Sequence, residues 1–581
     1  MLPLPADSAP RDSTAKKDTA TKRDTVIAAF AQAEMPRVLD VGQSYSWDRE
    51  ALFNTGALTL VQVLDRVPGL TIFQSGWITS PQFVSYLGNP TRVRVYLDGV
   101  ELIALGNSTS SPLDLASVAI WNVDNMTLER GVDELRIHLR SWHVTHTHTQ
   151  SRVDIVTGDL GTNMLRAFFG KRWENGFGLQ FGGQVYGTAA NLKDGSGDAN
   201  DLMLRFGYAQ AAWSFDGYIQ RGNGTRDPQL ITAVPIAGLS PGIPAQVGSR
   251  TIAYLRGGYG RADSSRWWGQ VVVNEQQVTQ QTNLSTSLLY LPPDTSQVKQ
   301  HATQLLATGG LNTGAFSLSA AEVHRWLPSG TSDKLSGRAA LASKLLTLTI
   351  AADYTLGSGG ITDAVLTFSP TTWLMLQGGA GYRTADSASG GDGRSDRIVF
   401  GARLGRVWFT GGAIQRDATV VPGLVAYDTA YKSAPAAAAT GVLFSVNGKV
   451  IEDLGIHLWA VRWQKPGWYR PQLQERGEIY LDTEWRSHFP SGNFGLRASF
   501  GNEYRSDALF PTKGAVEAIP SPSVVALNSM TLFANIEIRV LTATLYFTSN
   551  WALTPRPYEL VPQYLQPVQV YTYGLRWSFW N

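Results

Sequence analysis

The sequence predicts a mainly β protein, a transmembrane antiparallel β-barrel of about 22 strands behind a small amino-terminal α/β domain. Three features carry this reading. From about residue 160 onward, apolar residues alternate with polar or small ones, which gives each segment one greasy face. The segments run about 9–12 residues, the length at which a tilted strand crosses a bilayer. Connections alternate between long and short along much of the chain, as in barrels whose long loops share one rim.

Composition agrees and excludes several classes. The 581 residues include 58 Gly, 18 Trp, 21 Tyr and 22 Phe but no Cys. Abundant aromatics suit a β-rich chain and interfacial girdles. The lack of Cys removes disulfide frameworks, thiolate metal sites and cysteine nucleophiles together. Lys and Arg total 49 against 47 Asp and Glu, a net charge of +2 without the basic excess of a nucleic-acid binder. No run of about 18 apolar residues is present to cross a membrane as a helix.

In chain order, residues 1–35 come first and hold little to bury, so they read as a disordered arm. No basic stretch followed by an apolar run opens the chain, so a signal peptide is not visible, and an exported barrel implies a leader removed or lying upstream. Residues 36–158 form the mixed domain. Thr59–Val67 has the spacing of one amphipathic helix, stopped by Pro68-Gly69. Leu70–Phe73 follows as a strand. Arg92–Leu97 and Val100–Leu102 flank Asp98-Gly99, a two-residue hairpin turn favouring positive φ. Ser111–Val118 is a connection, and Val123–Arg130 is a further strand ending at Gly131.

Residues 159–581 are assigned to the barrel. Leu202, Leu204, Phe206 and Tyr208 share one face of a strand, and Leu532, Ala534, Ile536 and Ile538 share one face of another. The opposite faces carry charge, such as Glu478, Arg497, Glu503 and Arg505, which suits a wet lumen better than a packed core. Long connections fall at 222–249, 278–298, 383–394, 415–439, 464–474, 506–525 and 552–567, whereas those near 327–332 and 356–360 are short where long ones are expected. The strands countable between about residues 163 and 579 number 21, and closure requires an even number. Either Arg152–Thr157 supplies the first strand or one short segment is misassigned; 22 is the favoured total. Tyr571, Tyr573, Leu575, Trp577 and Phe579 give the last strand an unbroken apolar register.

Three motifs go further. Leu64-Asp65-Arg66-Val67-Pro68-Gly69-Leu70, Arg94–Leu102 with its Asp98-Gly99 turn, and Met126–Gly131 ending in Arg130-Gly131 occur in an order and spacing that resemble the plug domain of TonB-dependent outer-membrane receptors. The plug residues so matched are Val67, Pro68, Gly69, Asp98, Gly99, Arg130 and Gly131. Departures are Tyr86-Leu87-Gly88 in place of the family's Arg-Gly, Thr127 in place of a Glu, Val132 in place of a Pro, and Ser141–Thr157 in place of a Gly-rich closing strand. The resemblance implies that the α/β domain sits in the barrel lumen and that the arm is periplasmic. It also implies a protein of the outer membrane of a Gram-negative-type bacterium. Asp24, Thr25, Val26, Ile27 and Ala28 resemble the TonB box, a short segment able to add a strand to a partner's sheet edge.

On this resemblance the protein imports a scarce, bulky nutrient, such as a metal chelate, cobalamin or an oligosaccharide, with energy relayed by TonB and no cofactor. The implied partners are TonB's periplasmic carboxyl-terminal domain, outer-membrane lipid and lipopolysaccharide, the barrel-assembly machinery and an extracellular ligand; nucleic acid is not among them. The altered motifs leave room for a plugged barrel uncoupled from TonB, serving as a passive channel or surface structure. An enzyme acting on lipids or peptides is the remaining alternative, although no nucleophile–base spacing is found.

Other candidates stay open. His138, His143, His146 and His148 lie close together, and His146 and His148 would share a strand face able to offer two imidazoles to a metal. No carboxylate cluster completes such a site, so hydrogen-bonded histidines are the expected reading. The loop aromatics Tyr290, Tyr427, Tyr431, Trp468, Tyr469 and Phe510 either grip a ligand or order the loops. Gly357–Gly360 and Gly390–Gly393 lack phosphate-loop spacing and read as turns.

Overall fold

A computed structural model describes residues 24–36, 40–106, 112–189, 195–210, 212–231, 239–240, 242–283, 295–385, 391–517, 524–553 and 558–580. Among these, 22 antiparallel strands close into one barrel. Strand β8 (Gln150–Gly158) is the first, and closure comes from its pairing with the final strand, Gln569–Trp580, as in Val153 opposite Trp577. The even count follows from the segment expected as the alternative first strand. The barrel accordingly begins at Gln150, and the expected domain boundary at 158/159 moves back by one strand.

The period-two pattern works as expected on the outer face. Leu202, Leu204 and Phe206 are exposed on the outside of the barrel while Arg205 between them is fully buried. The short turns line one rim, the same rim at which the amino-terminal domain enters the barrel. The long connections line the other, where 328–329 and 356–358 are tight hairpins that leave the wall low. Two strands on this side, Trp267–Asn283 and Thr295–Asn312, are unusually long. At about 3.3 Å per residue and a tilt near 40°, the 18-residue strand rises about 45 Å, well beyond the roughly 25 Å apolar band.

Much of the lumen is occupied by the amino-terminal domain. Inside lies a five-stranded sheet in the order β1 (Ser46–Asp48), β6 (Val123–Arg130), β7 (Leu135–Ser141), β4 (Val93–Leu97) and β5 (Val100–Glu101). Strands β4 and β7 run parallel, and the other pairs are antiparallel. A separate hairpin, β2 (Leu70–Gln74) with β3 (Gln82–Tyr86), reaches toward the rim of long loops. Helix α1 (Arg49–Phe53) is capped by the Asp48 carboxylate, which accepts from the amide of Ala51 at 2.8 Å.

Helix α2 (Leu60–Leu64) is shorter than the spacing predicts, and all of its residues except the partly buried Gln62 are buried. The expected polar end is drawn off into ion pairs with the barrel: Asp65 meets Arg476 at 2.9 Å, and Arg66 meets Glu478 at 2.7 Å. The barrel's inward charges, read from sequence as facing water, are largely spent in this way on the domain they enclose.

Candidate functional site

The arm is the first departure. Expected as disordered, residues 24–36 instead line the inner wall at the short-turn rim; residues 1–23 lie outside the described residues. Asp24–Ala28 is already strand-paired: Val26 bridges His146 antiparallel, the amide of Ile27 donates to the carbonyl of Thr145 at 2.8 Å, and that of Thr147 donates to Thr25 at 3.0 Å. The Asp24 carboxylate accepts from the amide of His148 at 3.1 Å and faces His146 Nδ1 at 3.0 Å. The first of these contacts holds its carboxyl below the usual range. His146 and His148, weighed from sequence as metal ligands, are thus the edge on which the candidate TonB box rests. Beyond it, Phe30 is buried beneath the Arg172 guanidinium, 4.1 Å from its ring centre, and Glu34 meets Ser319 at 2.5 Å.

The motif residues hold the domain to itself and to the wall. Asp98 (φ 50°) and Gly99 (φ 81°) form the expected hairpin turn. The Asp98 carboxylate accepts from the Ser141 amide at 2.9 Å, Tyr254 at 2.9 Å and Arg205 at 3.0 Å. Burial pushes its pKa up, but Arg205, with His143 and Arg256, holds it well below the usual carboxylate range. Val67 is buried, Gly69 turns at φ 84°, and the carbonyl of Pro68 accepts from Arg130 at 3.1 Å. Arg130 also faces Asp40 at 3.4 Å. Gly131 has no room for a side chain, since a Cβ there would lie 2.3 Å from the Asp363 carboxylate, which accepts the amide of Val132 at 2.7 Å.

Sequence reasoning missed two buried clusters. Glu101 meets Arg325 at 2.5 Å, Arg94 at 2.8 Å and Lys334 at 3.1 Å. Against the upward push of burial, these cations keep it well below the usual range. Arg136 is fully buried beside Glu134 at 2.9 Å and Asp353 at 2.8 Å. The period-two charges on the barrel strands were a signal that something inside must neutralise them, but not of what.

Above the sheet, at the mouth, Tyr427, Tyr431, Trp468, Tyr469 and Phe510 all turn inward and bury the tip of the β2–β3 hairpin around Phe73 and Phe83. The Tyr427 hydroxyl donates to the carbonyl of Phe73 at 2.8 Å, and its pKa is pushed up by burial. These five aromatics order the loops, and Tyr427 also borders the neighbouring cavity; Tyr290 lies outside the described residues. Beside this cluster a cavity of about 570 Å³ opens between plug residues 104–105 and 112–120, the upper barrel wall and loop residues 425–429, with Tyr427 on its border. Ile78, Leu113 and Ile120 give it apolar patches, and Asp201, Gln220 and Gln280 line it with polar groups.

Residues 37–137 match the family model of the TonB-dependent receptor plug domain. The luminal domain is a TonB-dependent receptor plug. With the closed 22-stranded barrel around it, the chain has the architecture of a TonB-dependent outer-membrane receptor. No curated protein sequence matches it significantly. Solved structures do. The siderophore receptor PirA from Acinetobacter baumannii superposes with a TM-score of 0.68 at 11% identity, covering 92% of this chain and 98% of that one. The FrpB iron transporter from Neisseria meningitidis gives 0.70 at 9% identity, over 93% and 100%. The ferric-catecholate import receptor Fiu from E. coli K12 gives 0.66 at 10% identity, over 96% and 100%. At such identities the likeness is one of fold.

Proposed function

We propose that this receptor imports a bulky nutrient across the outer membrane, drawing energy from TonB through residues Asp24–Ala28. The observation that carries the proposal is the arm: a short extended segment sits at the short-turn rim and runs directly into Phe30–Pro36, beneath the plug. Backbone pairing of this kind is what a partner's sheet edge would replace. The ligand enters at the long-loop rim and collects in the 570 Å³ chamber, a volume within the usual range for small-molecule sites. Several structures of the same fold are receptors or transporters for iron or ferric siderophores, so ferric chelates are the first ligand class to test. Cobalamin and oligosaccharides are the next.

The remaining roles follow from the same reading. The outer face meets outer-membrane lipid and lipopolysaccharide, the barrel-assembly machinery inserts the chain, and the protein is a transporter rather than an enzyme. The test is binding of a purified TonB carboxyl-terminal domain to the intact chain and to one with Asp24–Ala28 scrambled. Binding that disappears on scrambling supports coupling. No binding to either form would leave an uncoupled plugged barrel, and equal binding to both would place the contact elsewhere.

A further inference from the structure

Three cavities lie in series along one side of the plug. The upper chamber reaches plug residues Ala104 and Leu105 and the wall at Val278 and Gln280. Below it a space of about 70 Å³ lies between the β4–β5 hairpin and the wall, lined by Asn274, Gln304, Ala321 and Lys334. A third, of about 180 Å³, reaches the short-turn rim at Ala262, Asp263 and Asn312. The lower two share Glu34 and Arg338 as lining residues.

What separates them is specific. Between the first and second, Gln276 and Gln304 donate to the carbonyl of Glu101 at 2.7 and 2.8 Å, while Gln276 accepts from the amide of Ile103 at 3.0 Å. The Glu101 carboxylate is clamped there by Arg325 and Lys334. Between the second and third runs the arm, which contributes Ala33 and Glu34 to one and Glu34, Met35 and Pro36 to the other. The arm is fitted to its path. Phe30 fills the space a Cβ on Gly207 would occupy, Ala31 does the same at Gly258, and Ala33 does so at Gly99 of the plug hairpin.

We infer that these cavities are the transit route for a hydrophilic cargo, passing first along the free edge of β5 against strands Trp267–Asn283, Thr295–Asn312 and Phe316–Leu327, and then beside β6 and β7 against strands Gly330–Ala342, Leu346–Thr355 and Gly359–Thr371. The Glu101 cluster is its inner barrier and residues 30–36 are the stopper at its exit. The groups at the barrier are amides and charges of both signs, so the route suits a cargo rich in hydrogen-bonding groups rather than an apolar one. The inference rests on the import reading and adds to it. Force on Asp24–Ala28 acts first on the stopper, so the exit opens while the plug sheet stays in place.

The chain has no cysteine, so single thiols report directly on access. Ala321→Cys reports on the middle cavity. Ser445→Cys, buried on another part of the wall with its hydroxyl 2.6 Å from Thr410, is the control. Each is placed in the full chain, in a chain lacking residues 1–35, and in a full-length F30S/E34A double variant that serves if the deletion does not fold. A charged methanethiosulfonate reagent is added on the short-turn side of reconstituted barrels. The expected result is labelling of Ala321→Cys at least tenfold faster in both arm variants, with Ser445→Cys unchanged. Equal labelling of Ala321→Cys with and without the arm contact would overturn the route, as would matching gains at both positions, which would mean that the whole plug had loosened. Neither TonB nor ligand enters the assay. A positive result with no TonB binding would therefore sink coupling and keep the route, and the converse would do the opposite.

Discussion

The plug body and its arm are held in the same lumen by different physics. The body is fixed by buried charge: Asp98 to Arg205, Glu101 to Arg325 and Lys334, and Arg66 to Glu478, with every one of these groups buried except the partly buried Arg66. The candidate TonB box is fixed by a few backbone hydrogen bonds and one exposed carboxylate, with Val26 74% exposed. Breaking a buried ion pair from one side costs about 3–5 kcal/mol because the partner is left uncompensated in low dielectric. Strand pairing at an exposed edge has no such penalty, since water or another strand satisfies the released groups. The difference gives the domain a firm part and a part that can be pulled away from it.

Several substitutions would break or sharpen that contrast. The largest effect is expected from Glu101→Ala, which leaves Arg94, Arg325 and Lys334 without their shared carboxylate. A loss of about 5 kcal/mol in plug seating, the upper end for a broken buried pair, should appear as a lower urea midpoint for protease cleavage within residues 40–140. Arg205→Ala comes next at about 3 kcal/mol, because the Ser141 amide and Tyr254 still donate to Asp98. Cleavage in the same segment measures it.

Gly131→Ala is expected to cost about 1–3 kcal/mol by overpacking against Asp363, with the same readout. The smallest effect belongs to the arm and depends on pH. Asp24 has a folded-state pKa below its unfolded one, so its contribution is complete above the unfolded value and is lost as pH falls through the folded one. Acidification from about pH 4 downward should free residues 24–28 while leaving the plug midpoint little changed. Fluorescence of a probe on a thiol introduced at Val26 would follow it.

Much of the fold was legible because it is local. Period two marks a strand within ten residues, and the requirement for an even count recovers the strand at Gln150–Gly158. Asp98-Gly99 was readable as a turn for the same reason. The partners were not. Asp24 meets His146 across 122 residues, and Arg66 meets Glu478 across 412, so nothing near either residue signals the contact. The arm looked disordered because its own composition buries little, whereas the groove that holds it is built from Gly207 and Gly258 on distant strands. The loop aromatics were ambiguous because their burial depends on several loops and the β2–β3 tip meeting in one cluster.

Hydrogen exchange by mass spectrometry on the full chain in lipid tests the division most directly. It would compare the amides of Ile27 and Thr147, which pair arm to plug, with those of Asp98 and Leu128 inside the plug sheet. The expected result is exchange at least a hundredfold faster for the arm pair, with the plug amides protected throughout. Equal protection of the two groups would contradict a releasable arm on a fixed plug. It would mean that arm and plug open only together.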